Sequence, residues 1–323
     1  MGETHEPGQR LFALEPQYRE RVWGGQRLKA ADPPVGEAWV ACAESRVREG
    51  AAAGRTVAEL AEAFGPQLLG REVFAAHGTR FPLLVKLLDC ADWLSVQVHP
   101  DDAQAARLVG PGEFGKTEAW HFIEADEGAT VYAGVREGTT AEELAAAIRA
   151  GRVTDVAERL EVSAGQTICI PSGTLHALGP GLLLYEVQQA SDTTFRAYDW
   201  GRPTSDGRRL HVEETVAVAD ARRRVRPAPP PALAGTAAAR AMACAFFELD
   251  VLRVGAEAFA ADTGGRTFHL LTLIEGEAEV ACGAERVGLR GFDTALVAGG
   301  AGAYTVSAPR GAAKLLRAAV PAS

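Results

Sequence analysis

The sequence predicts a mainly β protein made of two β units, with a few short helices at the periphery. Glycine and proline are frequent, with 35 and 17 residues in a chain of 323, and they divide it into short segments of the length of strands. Several segments alternate between apolar and polar residues with period two, which is typical of strands with one buried face. A proline- and alanine-rich stretch late in the chain separates one set of such segments from another.

That stretch is the basis of the predicted domain organisation. A short basic run at 222–226 leads directly into five residues rich in proline, which stiffens a chain and removes backbone donors. We therefore predict an N-terminal domain over residues 1–225, a linker or extended crossing segment over 226–245, and a C-terminal β domain over 246–323. The basic run is interpreted as a solvated surface, and a phosphate or nucleic-acid site there stays open as the alternative.

The N-terminal domain carries the strands that bear candidate chemistry. An apolar run interrupted by Lys86 precedes residues 94–99, which alternate strictly. In this alternation the three apolar residues share one face of the strand, whereas Ser95, Gln97 and His99 share the other. Further strands are predicted at 119–124, 129–133, 167–170 and 182–188, and in the C-terminal domain at 246–254, 267–274, 277–282, 294–297 and 303–306.

Helices are predicted to be few and short. Thr56 and Thr140 each begin a capping box, with a glutamate three residues later and an amphipathic segment behind it. Gly151 ends the second of these helices. Asp101 or Asp102 can cap a third.

Composition and charge argue against several functional classes. A net charge of -9 and a pI near 5.4 give no basic footprint for nucleic acid or an anionic membrane surface. No window approaches the ~18 apolar residues of a membrane span, and residues 1–10 carry no leader-like apolar stretch. The five cysteines are odd in number and widely spaced, which favours reduced thiols in a cytoplasmic protein.

Four potential metal ligands lie within one third of the chain. Gln97 and His99 project from the same strand face, Glu118 adds an anionic oxygen, and His176 adds a second imidazole. This mixed donor set suits Zn²⁺ and also accepts Mn²⁺, Fe²⁺, Co²⁺ or Ni²⁺. The separations of 19 residues (99 to 118) and 58 residues (118 to 176) match no compact metal motif. A structural interpretation therefore stays open, in which Glu118 pairs with Lys116 at the surface and the two histidines serve as hydrogen-bonded strand-end and loop residues.

Five longer motifs carry a resemblance to a known family. They are LVKLLD at 84–89, LSVQVHPDD at 94–102, GKTEAW at 115–120, PSGTLHA at 171–177 and YEVQQASDTTFRAYD at 185–199. In this order they resemble type I mannose-6-phosphate isomerase in its short bacterial form, over roughly residues 10–215 with a weaker match to the end. The resemblance implies a cupin (jelly-roll) fold and the interconversion of mannose 6-phosphate and fructose 6-phosphate. It also implies one zinc ion held by the positions of Gln97, His99, Glu118 and His176.

The resemblance further implies a set of residues around the sugar phosphate. Arg196 falls at the position usually treated as the active-site residue. Lys86, Lys116 and Asp192 lie near the sugar phosphate in the family, and Trp23 belongs to a segment near the same pocket, so we expect these residues to bind substrate or act in catalysis.

The reaction moves a proton between C1 and C2 of an open-chain sugar through an enediol. Arg196 and Lys116 are suited to bind the phosphate or the enediolate. Lys86, on an apolar strand and near a dication, is expected to have a depressed pKa and to serve as general base, although a side chain that reaches solvent is the alternative. Glu186 or Asp192 are equally eligible as the base.

Two functional alternatives and one negative expectation remain. The same pocket fits a non-catalytic sugar-phosphate-binding or regulatory cupin, or a cupin isomerase that acts on another hexose 6-phosphate. Ala303 and Tyr304 stand in the C-terminal domain where a metal-binding histidine would be needed, so no metal is expected there. The partners are expected to be a small sugar phosphate and no nucleic acid or membrane, in a monomer or homodimer.

Overall fold

The computed structural model describes residues 8–203 and 208–322. His5 and most of the segment 1–10, in which no leader was expected, lie outside these residues. Within them the chain is mostly strand with a few short helices, which confirms the predicted fold class. No helix in the described ranges is long and apolar enough to cross a bilayer.

The strands of the first two thirds of the chain are β1 Leu11–Leu14, β2 Gln17–Gly25, β3 Val35–Ala41, β4 Leu83–Cys90, β5 Val96–Val98, β6 Glu118–Ala125, β7 Thr130–Val135, β8 Ala157–Glu161, β9 Thr167–Ile170, β10 His176–Leu178, β11 Leu182–Gln189 and β12 Phe195–Tyr198. The later strands are β13 Ala237–Ala243, β14 Glu248–Val254, β15 Phe259–Asp262, β16 His269–Glu275, β17 Glu277–Cys282, β18 Glu285–Arg290, β19 Thr294–Val297, β20 Ala303–Ser307 and β21 Ala313–Ala319. The helices are α1 Val57–Phe64, α2 Pro66–Leu69, α3 Arg71–His77, α4 Asp102–Leu108, α5 Ala141–Arg149 and α6 Val212–Val218, with 3-10 turns at Val153–Asp155 and Gly299–Ala301.

The described chain divides into two compact units, and neither is a continuous stretch. Unit 1 contains residues 8–17, 39–86 and 231–322, and unit 2 contains residues 18–38, 87–203 and 208–230. β3 and β4 each run from one unit into the other.

Unit 1 is built on two antiparallel sheets, with strand orders β1-β19-β16-β21-β14-β13 and β15-β20-β17-β18. Leu11, Leu252 and Leu271 from the first sheet share one apolar core with Val280 and Leu289 from the second. The strands of the second sheet alternate between buried and more exposed residues, as expected for a sheet with one buried face, whereas β1 and β19 of the first sheet are buried on both faces.

Unit 2 also has two sheets, and it contains the candidate ligands. The strand orders are β2-β3-β4-β11-β6-β9, with an additional β2–β4 pairing, and β12-β5-β10-β7-β8. Trp120, Phe122 and Leu184 of the first sheet pack in one core with Val131 and Leu178 of the second. Close packing of this shared core fixes the position of one sheet against the other. The residues at the ends of their strands are positioned as a consequence.

The predicted helix starts are confirmed. Thr56 Oγ1 accepts a hydrogen bond from Glu59 N at 3.1 Å, and the Glu59 carboxylate accepts one from Thr56 N at 2.7 Å. Thr140 makes the same capping box at α5. Asp101 caps α4, which chooses between the two aspartates that the sequence left open. These caps satisfy amide groups that a short helix would otherwise leave unpaired.

The observed grouping of the chain differs from the predicted boundaries in two respects. Ala237–Ala243, inside the predicted linker 226–245, is strand β13 and pairs with β14. Residues 39–86 pack with the C-terminal strands rather than with 87–225. β13 pairs with the next strand in sequence, although its alanine-rich composition does not indicate a strand. The grouping of residues 39–86 depends on contacts between segments far apart in sequence, which local composition does not report. The assignment of catalysis to residues 1–225 stays a prediction.

Gly70 offers a test of the packing in unit 1. Its φ is +88°, and a Cβ placed there would lie 2.3 Å from the backbone oxygen of Arg266. Gly78 also has a positive φ, +60°, but nothing lies within 4 Å of where its Cβ would be. We expect Gly70→Ala to lower the free energy of unfolding by about 1–3 kcal/mol more than Gly78→Ala does, because only the first substitution overpacks the backbone. Urea denaturation of the two variants measures this difference, and equal losses would contradict the close approach.

Candidate metal centre

The side chains of His99, Glu118 and His176 converge at one point of unit 2. Nε2 of His99 lies 3.4 Å from Glu118 Oε2, and Nε2 of His176 lies 3.3 Å from Glu118 Oε1. The ligand atoms that the three residues offer all lie within 4.8 Å of one another. The 3.3 and 3.4 Å spacings match ligand atoms held about 2 Å from one divalent cation, and a pair 4.8 Å apart would have to close by less than ~1 Å to bind the same ion. The structure therefore brings His99, Glu118 and His176 together although they are far apart in sequence, and it places the Gln97 amide next to His176.

Three strand ends create this convergence. His99 follows β5 directly, Glu118 begins β6 and His176 begins β10. β10 pairs with β5 so that His176 lies opposite Gln97. Pro100 has no backbone donor and ends the ladder beyond His99. The candidate ligands thus lie at strand ends, and the adjoining paired strands fix the positions of their backbones.

Hydrogen bonds fix both imidazole rings with the same nitrogen facing the cluster. His99 Nδ1 donates to the Thr193 carbonyl at 2.8 Å, and His176 Nδ1 donates to the Thr174 carbonyl at 2.9 Å. Because a carbonyl only accepts, Nδ1 carries the proton and Nε2 presents a lone pair in each neutral ring. Burial lowers the pKa of His99 to about 3, helped by the neighbouring Lys116 ammonium, and burial also lowers the pKa of His176. Both rings are therefore in the form that binds a metal.

Glu118 supplies the observation that best tests whether a cation fits. Its side chain is fully buried, and neither carboxylate oxygen receives a hydrogen bond of good geometry from a described residue. Burial alone raises its pKa, but the charge of Lys116, together with the interactions of the two adjacent imidazoles, outweighs that effect and holds the pKa well below its usual range. A buried carboxylate is costly unless it is paired or coordinates a metal. Two lone-pair nitrogens beside such a carboxylate match the donor set of a divalent metal site.

Lys116 is buried against the same atoms. Its Nζ lies 2.9 Å from Glu118 Oε2 and 3.1 Å from His99 Nε2. Burial lowers the pKa of this ammonium, but the charges of Glu118 and Glu186 dominate and raise the pKa above its usual value. The pairing of Glu118 with Lys116 that the sequence allowed therefore exists, although it lies in the interior rather than at the surface.

A network that the sequence analysis missed holds the segment carrying Lys116 in place. Gln189 accepts from Thr117 N at 2.9 Å and donates to Asp102 Oδ1 at 2.9 Å. Asp102 Oδ1 also accepts from Gly115 N at 2.7 Å. The amide of Gln189 thus ties two loops together next to Lys116. No sequence signal distinguishes Gln189 from the adjacent glutamine on β11.

A second polar chain connects the cluster to Arg196. Arg196 Nε donates to Ser95 Oγ at 3.1 Å, and Ser95 Oγ donates to Gln97 Oε1 at 3.2 Å. Gln97 Nε2 in turn lies 3.3 Å from His176 Nε2. Burial and the neighbouring Arg208 lower the pKa of the half-buried Arg196. Ser95 was not predicted as a site residue, yet the period-two alternation placed it on the face of Gln97 and His99.

Two other predicted site residues, Glu186 and Asp192, differ in burial. Glu186 is buried on β11 and accepts from Trp120 Nε1 at 3.0 Å, and the Trp120 ring packs edge-on against His176. Asp192 is exposed, and its charge helps to raise the pKa of Lys116. Both carboxylates are thus electrostatic neighbours of Lys116.

Lys86 and Trp23 are both buried. Lys86, on β4 in unit 1, is 4% exposed and its Nζ lies 5.3 Å over the Trp39 ring. The alternative in which its side chain extends into solvent is therefore wrong. Trp23 is buried in the apolar core of unit 2. The catalytic and substrate-binding roles predicted for these two residues stay predictions.

In the C-terminal strands, the position that parallels His176 holds Tyr304. The hydroxyl of Tyr304 lies 2.7 Å from His269 Nδ1. Burial raises the pKa of Tyr304 to about 12 and lowers that of His269 to about 3, so both groups are neutral near pH 7. A neutral hydrogen-bonded pair occupies this part of the C-terminal β structure.

Comparison with known proteins agrees with this geometry. Residues 11–119 match the model of the phosphomannose isomerase type I catalytic domain. The mannose-6-phosphate isomerase of Streptococcus mutans is 42% identical over 218 residues, which are 64% of this chain and 66% of the relative. Mannose-6-phosphate isomerase ManA of Bacillus subtilis is 39% identical over 227 residues, 67% of this chain and 68% of the relative. The matched segments thus span about two thirds of the length of these relatives.

A solved structure extends the likeness to nearly the whole chain. The mannose 6-phosphate isomerase from Bacillus subtilis superposes with a TM-score of 0.79 and 29% identity, covering 96% of this chain and 99% of the other. This confirms the predicted mainly β, cupin-type fold. On the combined match of family model, relatives and fold, the chain belongs to the type I phosphomannose isomerase family.

Proposed function

We propose that the protein is a metal-dependent aldose–ketose isomerase that interconverts mannose 6-phosphate and fructose 6-phosphate. The observation that carries the proposal is the buried group of His99, Glu118 and His176, with the Lys116 ammonium against it. Membership of the family, whose curated relatives are named mannose-6-phosphate isomerases, supplies the substrate.

The proposed cofactor is one zinc ion per chain, held by His99, Glu118 and His176. Two neutral imidazoles and one carboxylate are a common ligand set for catalytic zinc, which keeps a further position open. When bound, the ion supplies Lewis-acid stabilisation of oxyanion charge at the sugar carbonyl. Gln97 is proposed as an additional ligand or as a group that orients His176, to which its amide is adjacent.

The protein side chains are proposed to divide the remaining tasks by charge. Glu118 and Glu186 raise the pKa of Lys116 in the metal-free site, and its ammonium is proposed to bind the enediolate or phosphate. Arg196 presents a planar guanidinium suited to the same anions. The proton between C1 and C2 then moves through a carboxylate or amine, and Glu186, Asp192 and Lys86 are the proposed candidates.

We further propose a cytoplasmic enzyme that acts on a small sugar phosphate as a monomer or homodimer and binds no nucleic acid. All five cysteines are free, which agrees with a reducing compartment. The net charge of -9 opposes non-specific attraction to nucleic acid. Size measurement in solution and a nucleic-acid binding assay test the last two statements.

Metal removal is the experiment that tests the proposed function. A coupled assay should detect conversion of mannose 6-phosphate, and we expect chelation to lower the rate by about 100-fold or more, because loss of a Lewis acid removes several kcal/mol of transition-state stabilisation. Addition of zinc to the stripped protein should restore it. Full turnover by protein shown to be metal-free would overturn the metal-dependent mechanism.

The same assay separates the alternatives. Turnover of glucose 6-phosphate in preference to mannose 6-phosphate would identify an isomerase for another hexose phosphate. Saturable binding of mannose 6-phosphate without turnover, in zinc-loaded protein, would identify a non-catalytic binding protein.

A further inference from the structure

Ser95 occupies a buried position between two groups assigned to the site. It is 4% exposed, and its hydroxyl contacts Arg196 Nε at 3.1 Å and Gln97 Oε1 at 3.2 Å. Arg196 Nε has a proton and no lone pair, so the Ser95 oxygen must accept there. The carbonyl end of the Gln97 amide only accepts, so the proton of the hydroxyl is directed to it.

Without a metal, these constraints direct the chain of hydrogen bonds from Arg196 through Ser95 and Gln97 to His176. With the carbonyl oxygen of Gln97 on Ser95, the amide NH₂ faces His176 Nε2 at 3.3 Å. The Nδ1 of His176 donates to Thr174, so without a metal its Nε2 lone pair can accept from the amide, whereas a bound metal would take the same lone pair. Ser95 is the member of the chain that contacts both Arg196 and Gln97.

A hydroxyl suits this position because it both donates and accepts. Ser95 can hold the Gln97 amide whichever of its two ends faces the cluster, since the same oxygen accepts from an NH₂ group or donates to a carbonyl. The guanidinium also donates through Nη1 to the Arg209 carbonyl, and the backbone N of Arg196 donates to His211 Nδ1. Ser95 is thus the link between the guanidinium and the ligand side of the site.

We infer that Ser95 is a positioning residue that couples the orientation of Arg196 to that of Gln97. The inference rests on the proposed function for the role of Arg196, and on the metal-ligand geometry for the role of Gln97. Residues that orient metal ligands typically change metal affinity or activity by about 10–100-fold when they are replaced. Two separate readouts follow, one on turnover and one on zinc affinity.

Ser95→Ala removes both hydrogen bonds and leaves the apolar packing nearly unchanged. We expect kcat to fall about 10-fold or more with a smaller change in KM, and the affinity of the metal-free protein for zinc to fall about 10-fold. Zinc affinity is measured by competition with a chromophoric chelator. Ser95→Thr keeps the hydroxyl and should recover most of both losses.

Ser45→Ala is the matched control. Ser45 is also fully buried, its hydroxyl accepts from Cys42 N at 3.0 Å, and it lies in unit 1. It should lower thermal stability about as much as Ser95→Ala does, while zinc affinity and kcat stay within about twofold of the parent protein. A purely structural role for Ser95 would make the two variants alike.

The coupling itself is tested in an Arg196→Ala background. If Ser95 acts on turnover through Arg196, adding Ser95→Ala there lowers kcat by less than about threefold, because the shared interaction is already gone. Additive losses would overturn the coupling. Should Ser95→Ala not fold, Ser95→Cys carries the same test, since a thiol is a weak hydrogen-bonding group.

The proposed role of Ser95 and the proposed isomerase activity can fail independently of each other. If the parent protein isomerises no hexose phosphate, the proposed function fails, and the zinc affinities of the Ser95 and Ser45 variants still test the link to Gln97. If the parent protein is active and Ser95→Ala retains both kcat and zinc affinity within twofold, the positioning role is wrong.

Discussion

Glu118→Gln is expected to abolish tight metal binding and to lower kcat by about 10³-fold. Glu118 is the only anionic member of the three converging ligands, and the amide keeps its shape but removes its charge. Loss of the cation removes several kcal/mol of transition-state stabilisation, and each 1.4 kcal/mol is about tenfold in rate. Metal content after dialysis and turnover of mannose 6-phosphate measure the effect.

The same substitution should also destabilise the metal-free protein, which gives it a second, independent readout. Lys116 would be left buried beside a neutral amide, and breaking one partner of a buried ion pair costs about 3–5 kcal/mol. Glu118→Gln combined with Lys116→Met should recover stability and leave metal binding absent. Glu124→Gln, at a residue 58% exposed on the same strand, should cost at most about 1 kcal/mol and leave metal content unchanged. A metal-free Glu118→Gln protein as stable as the parent would contradict the buried pair.

Arg196→Lys is expected to lower kcat by about 100-fold with the fold intact. The planar guanidinium contacts Ser95 through Nε and the Arg209 carbonyl through Nη1, and a single lysine nitrogen cannot hold both directions at once. Misplacement of a cation by about 1 Å is sufficient for such a loss. Steady-state kinetics and urea denaturation together measure it.

Arg149→Lys is a suitable control for that variant, because Arg149 pairs with Glu213 on the surface of the same unit. It should change neither kinetics nor stability appreciably. Arg196→Lys protein with the kinetics of the parent would remove Arg196 from the catalytic residues.

The site residues that could be predicted from the sequence are those that local periodicity places on one strand face. Strict alternation over 94–99 put Ser95, Gln97 and His99 on one face, and the structure joins the first two by a hydrogen bond. The long motifs then associated Glu118 and His176 with them through the family resemblance. Alternation does not predict which strands pair with each other. The pairing of β10 with β5, for example, sets His176 opposite Gln97, and these residues are 79 positions apart in sequence.

Electrostatic detail was the least accessible to the sequence. Lys116 was expected near the sugar phosphate, and its contact with Glu118 was considered only as a surface pair. In the structure both groups are buried, and that changes the meaning of the lysine, because the neighbouring carboxylates raise its pKa and keep it charged. Burial depends on how whole sheets pack around a residue. The local sequence GKTEAW therefore does not indicate that Lys116 and Glu118 are buried.

The position of β21 in the six-stranded sheet of unit 1 affects how the chain reaches its native state. β21 pairs with β14 on one side and β16 on the other, so the strand that comes last in sequence lies inside the sheet. Until residue 319 has been synthesised, β14 and β16 have no partner between them, and their unpaired edges are templates for association with other chains. Such long-range closure also slows folding. The six-stranded sheet of unit 1 can therefore be completed only after β21 has been synthesised.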